Sequence, residues 1–148
     1  MRAVAHRCPC GLPDVVESNP RTVDGVPFPT TYYLTCPAAA SEIGRLEASG
    51  IMRVMTERVR TEPELGRAYA AAHASYLAHR ATLGDVPEIE GVSAGGMPDR
   101  VKCLHALVGH ALAAGPGVNP IGDEALDLLT PWGTRGPCVV LDDGEAAS

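Results

Sequence analysis

Residues 95–112 read Gly95-Gly96-Met97-Pro98-Asp99-Arg100-Val101-Lys102-Cys103-Leu104-His105-Ala106-Leu107-Val108-Gly109-His110-Ala111-Leu112. Pro98 suits a first helical position, where its missing N–H costs nothing, and Gly115 suits a C-terminal cap. Val101, Leu104, Val108 and Ala111, with Leu107 and Leu112, recur at helical spacing. The pattern predicts a helix from Pro98 with one buried face, around which the chain is organised. At about 100° per residue, Cys103 and His110 share one edge of the apolar stripe, and His105 lies on the other. Cys103 and His110 are also about 10.5 Å apart along such a helix. A common site would need an irregular first turn or donors from other segments.

Working upstream, residues 84–97 form a Gly- and Pro-rich loop. Before it, Thr61-Glu62-Pro63-Glu64 has capping-box spacing and predicts the longest helix, ending at Gly84, with Leu65, Tyr69, Ala72, Tyr76 and Leu83 inside. Pro37 opens a helix carrying Ile43 and Leu46 that ends at Gly50, and a further helical segment holds Ile51, Val54, Met55 and Val59. The β-branched and aromatic run Thr31-Tyr32-Tyr33-Leu34-Thr35 predicts a strand, as do residues 2–8 and Val15-Val16-Glu17. Downstream, Asp123 is placed as the cap of a short helix bearing Leu126, Leu128 and Leu129. A short edge strand is expected at Cys138–Leu141, and Asp142 to Ser148 form an acidic frayed tail. The expected fold is α+β: a small N-terminal antiparallel sheet of about three strands packed against four to five helices. A single domain spans residues 1–141. The first strand begins almost at Met1, so the native start is expected upstream.

The chain has 148 residues, enough to bury a sizeable core, and a formal net charge of −6. That charge argues against nucleic acid, which requires a basic footprint. Lys102 is the sole lysine among twelve cations. Neither a membrane-length apolar run nor a signal-peptide pattern is present, so a cytoplasmic location is expected and no membrane partner. Five widely spread cysteines do not make a secreted disulfide framework; in a reducing compartment they are thiols, ligands or redox groups.

The Cys/His set is the first site candidate. Cys8, Cys36 and Cys103 with one histidine, His105 or His110, meet the four-ligand count of zinc, and Cys10 is a further donor. An iron–sulfur cluster on Cys8, Cys10, Cys36 and Cys103 is the alternative cofactor, and core thiols are the plain one. The Cys-x-Cys spacing matches no standard zinc knuckle. A second candidate is an anion site, where Gly95 and Gly96 lead to a helix amino terminus flanked by Arg100 and Lys102. It would suit a phosphate-ester or polyphosphate-related hydrolase. A third is a Cys103 thiol nucleophile with His105 or His110 as base. A structural adaptor with Arg-rich helix faces, binding a protein partner, is a further reading. His73 and His79 are expected as a partly buried and an exposed histidine, Tyr32 and Tyr33 as one core and one surface residue of a strand, and Trp132 as a cover over the core.

Three motifs carry a resemblance: Cys8-Pro9-Cys10-Gly11-Leu12-Pro13, Pro27-Phe28-Pro29-Thr30-Thr31-Tyr32-Tyr33-Leu34-Thr35-Cys36-Pro37 and Gly95 to His105, extended by Gly117-Val118-Asn119-Pro120-Ile121-Gly122. Over residues 3–130 the chain resembles the bacterial domain of unknown function 501 family. The resemblance implies a single-domain, typically actinobacterial protein, often encoded near an exopolyphosphatase and a septum-formation protein. It implies no catalytic residues.

Overall fold

The computed structural model describes residues 2–134 and residue 138. Strands β1 (Ala3–Arg7), β2 (Pro13–Glu17) and β3 (Tyr32–Leu34) form an antiparallel sheet with β2 in the centre. Val15 pairs with Leu34 and Val16 with Tyr33, while the β1–β2 register slips between Val4 and His6. Side chains alternate across a strand, and Tyr32 is accordingly buried while Tyr33 is 51% exposed.

Five helices follow: α1 (Pro37–Ala48), α2 (Ile51–Thr61), α3 (Pro63–Leu83), α4 (Leu104–Ala114) and α5 (Pro120–Leu128). Proline opens α1, α3 and α5, where its fixed φ is already helical. Gly50, at φ +83, makes the left-handed joint between α1 and α2. A short 3-10 turn, Pro87–Ile89, interrupts the loop after α3.

Helix α4 is the centre of the domain. It packs against α5, α1 and all three strands, and Leu104, Leu107, Val108, His110 and Ala111 are buried along it. Gly122 lets α5 approach closely, since a Cβ there would collide with the Leu107 carbonyl. Helix α3 contributes Tyr69, Ala72 and Tyr76 to the core. The Tyr76 hydroxyl accepts from the backbone N–H of Thr31 at 2.6 Å and of Tyr32 at 3.4 Å, tying α3 to the start of β3.

The fold class is as expected, but several local details differ. Helix α4 starts at Leu104, with Cys103 as N-cap, and not at Pro98. The preceding backbone is bonded elsewhere: Val101 N–H donates to Thr56 Oγ1 at 2.9 Å, Lys102 N–H to Gly95 O at 2.8 Å, and Arg100 O accepts from Tyr69 at 2.8 Å. No capping box forms at Thr61. It is the last residue of α2, its hydroxyl bonds Glu57 O, and Glu62 caps α3. Asn119, not Asp123, caps α5; its Oδ1 accepts from Gly122 N–H at 2.9 Å, while Asp123 accepts from Gly117 N–H. On α3 the fourth buried position is Arg80 rather than Leu83, because its guanidinium reaches Pro29 O and Ile89 O. The proposed strand beyond Cys138 and the acidic tail lie outside the described residues.

Candidate metal centre

The amino-terminal end of α1 gathers sulfur. Cys8 leaves β1 into a tight turn closed by Cys8 N–H to Leu12 O at 2.9 Å and Gly11 N–H to Cys8 O at 2.8 Å. That turn also carries Cys10. Cys36 is the N-cap of α1, directly after β3, and the sheet aligns the two segments through Thr35 N–H to Asp14 O. Cys138 arrives from the far end of the chain.

Sγ atoms of Cys8, Cys36 and Cys138 lie within 4.8 Å of one another. Cys8 to Cys138 is 3.4 Å and Cys10 to Cys138 is 3.9 Å. Four sulfurs at about 2.3 Å from one tetrahedral zinc are about 3.8 Å apart, so these separations suit a shared ion. Cys8 and Cys36 are buried. Gly133, at φ +72, lies against the cluster; any Cβ there would overlap Cys8 Sγ and sit 3.4 Å from Cys138 Sγ.

The thiols have unlike environments. Hydrogen bonds from the backbone of Cys138 and Leu12, then from the Cys8 side chain, pull Cys10 down to about 7. Burial pushes Cys8 up, and burial with the neighbouring thiols pushes Cys138 up. Several thiolates crowded together need a cation to offset their mutual repulsion.

The other proposed ligands are not at this point. Cys103 and His105 lie with Glu47 in a separate group within 4.8 Å. Glu47 stands eleven residues along α1 from Cys36, about 16 Å at the helical rise. His110 is 1% exposed and belongs to the core. Its ring stacks on Tyr32 at 5.6 Å, meets Tyr76 edge-on, and lies 3.1 Å from the Asn119 side-chain nitrogen. Burial lowers it to about 4. The buried, neutral ring is a packing group, which corrects its assignment as a ligand. Four-cysteine sets that include Cys103 are corrected likewise, since Cys138 and not Cys103 lies beside Cys8 and Cys36. The sole sequence signal of Cys138 was being the fifth cysteine.

The anion reading also changes. The amino terminus of α4 is capped from within the chain, since Leu104 N–H donates to Glu47 Oε2 at 2.8 Å. Gly95 and Gly96 instead fold the loop; a Cβ on Gly95 would lie 2.6 Å from Leu107 Cδ2. Arg100 and Lys102 line a cavity of about 600 Å³ with Arg60, Asp99 and residues 91–98. Of the two bases considered for a Cys103 nucleophile, His105 lies beside the thiol and His110 does not. His105 Nε2 is engaged by Ala40 O at 3.1 Å and Nδ1 by Glu47 at 3.2 Å, and His110 is sealed in the core. His73, part-buried, bonds Ser93, and His79 pairs with Glu17 while stacking on Tyr32.

A family sequence model described as protein of unknown function (DUF501) matches residues 4–127. The chain belongs to this family. No curated protein and no solved structure matches it. Among the described residues, no helix is long and apolar enough to cross a membrane.

Proposed function

We propose that this DUF501 protein is a metal-binding protein whose closed zinc site is formed by Cys8, Cys10, Cys36 and Cys138. The convergence of sulfurs from three distant segments, two of them buried, with Cys138 3.4 Å from Cys8 and 3.9 Å from Cys10, carries the reading. Soft thiolates suit zinc, and an all-sulfur tetrahedral set leaves no open position, so the role is structural. The ion would lock the β1–β2 turn, the start of α1 and the C-terminal segment together. Zinc is preferred over an iron–sulfur cluster because Cys8, Cys36 and Cys138 lie within 4.8 Å of one another, with Cys10 3.9 Å from Cys138, whereas a cluster would spread its cysteines around several irons.

Elemental analysis with an absorption spectrum tests this, on protein purified anaerobically without a metal-affinity tag. Zinc bound at this site, lost in Cys8→Ser and Cys138→Ser, is the expected result. A brown protein absorbing near 400 nm would replace zinc by a cluster. Folded, stable protein with all four thiols free and no metal would overturn the reading.

The cavity lined by Arg60, Arg100 and Lys102 favours a second reading, a site for a phosphate-type anion. Under it, millimolar phosphate raises the melting temperature and Arg100→Ala removes the shift. An unchanged melting curve would dismiss it.

A further inference from the structure

We infer that the far end of α1 and the first turn of α4 form a second, open divalent-metal site with Glu47, Cys103 and His105 as ligands. A Glu47 oxygen, Cys103 Sγ and a His105 ring nitrogen lie within 4.8 Å of one another. Two of the three donors, His105 and Glu47, are already aimed by a bond to the backbone. His105 Nε2 is 3.1 Å from Ala40 O, and a carbonyl can only accept, so Nε2 carries the hydrogen. Nδ1 is then the ligating atom, in the arrangement where a metal-bound imidazole donates its other N–H to a backbone carbonyl.

Glu47 is held in the same way. Oε2 accepts the Leu104 N–H at 2.8 Å, and this leaves Oε1 facing His105 Nδ1 at 3.2 Å. When the ring is neutral, in the tautomer that donates to Ala40 O, two lone pairs confront each other there. A cation between them turns that repulsion into two bonds. Cys103, as N-cap of α4, brings sulfur to the same place, directly before the Leu104 N–H that Glu47 accepts.

The site takes a borderline-soft divalent ion of the zinc or cobalt(II) class: one nitrogen, one oxygen and one sulfur, with a fourth position left for water or a substrate. Glu47 and His105 side chains are 21% and 34% exposed, so solvent reaches that position. This inference does not rest on the four-cysteine site, and its test separates the two.

The full chain is stripped with a chelator, titrated with cobalt(II) and followed by metal stoichiometry and absorption. Two equivalents are expected. Cys103→Ser and His105→Ala each reduce two to one and keep the intense sulfur-to-cobalt band of the four-cysteine site. Cys8→Ser removes that band and leaves one equivalent with a weak, single-thiolate band. Glu47→Gln, which keeps an acceptor for the Leu104 N–H and so preserves the fold, weakens the second equivalent by about tenfold or more. Unchanged stoichiometry and affinity in folded Cys103→Ser and Glu47→Gln would overturn the inference and reduce the Glu47–His105 contact to an ion pair. A single equivalent insensitive to Cys103 would do the same, whereas one lost in Cys103→Ser but kept in Cys8→Ser would overturn the four-cysteine site instead.

Discussion

The two ends of α1 hold donor sets of opposite character. At Cys36 the set is all sulfur, largely buried, and assembled from the sheet turn, the helix start and Cys138, 130 residues from Cys8. At Glu47 the set is mixed, half-exposed, and held by backbone bonds to Ala40 and Leu104. Burial and sulfur count point the first toward a closed, structural ion. Mixed donors and exposure leave the second with a position for exogenous chemistry. On the two proposals, one helix would separate a staple from a reactive place, its rigidity keeping the donor sets apart.

The strongest way to break this contrast is to remove the staple. Cys8→Ser or Cys36→Ser is expected to release its zinc and to cost about 4 kcal/mol or more, a fall in melting temperature on the order of 10 °C. Equal losses from Cys103→Ser would show that both ends are structural. Calorimetry with metal analysis decides it.

Acid provides the next test, because it acts on the core between the two ends. His110 is held at about 4 by burial, below the ordinary 6.5 of the unfolded chain. As pH falls below 6.5 the unfolded chain takes up a proton that native His110 refuses. Stability is thus full above 6.5, declines by about 3 kcal/mol toward pH 4, and is flat below from this group. Urea denaturation across that range should show the decline, and His110→Phe should lessen it. If His110→Phe leaves the slope intact, acid acts elsewhere, and the ring is not the core's titrating group.

Tyr76→Phe sharpens the comparison as a control. It strips the acceptor from two buried backbone N–H groups, of Thr31 and Tyr32, and should cost about 1–3 kcal/mol. Both metal equivalents should survive it. Loss of either would mean that the donor sets depend on the core, not on their own anchors. The smallest effect belongs to Glu47→Gln, expected to change stability by less than about 1 kcal/mol while the open site loses affinity. A large fall in its melting temperature would make Glu47 a structural cap first.

Much of the architecture was legible because its signals are local. Tyr32 and Tyr33 took the inside and outside of β3 as alternation required. Proline and glycine placed the ends of α1 and α3. Cys8, Cys10 and Cys36 were identifiable as donors by type and by position in turns and junctions. His110 was not identifiable as a packing ring, since an imidazole on an apolar stripe looks the same whether it meets a metal or Tyr32 and Tyr76. Pro98 misled because its surroundings have the composition of a helix start, while Thr56, Tyr69 and Gly95 take the backbone groups a helix would need.

By itself, the sequence determined the elements, their order and the inventory of possible ligands, since periodicity, β-branching and Pro/Gly punctuation act over a few residues. Only the tertiary structure decided which donors meet. Cys138 joins Cys8 across 130 residues, and Glu47 reaches the amino terminus of α4 across 57. Such meetings depend on how one helix is laid across the rest of the core, and spacing along the chain carries no record of that.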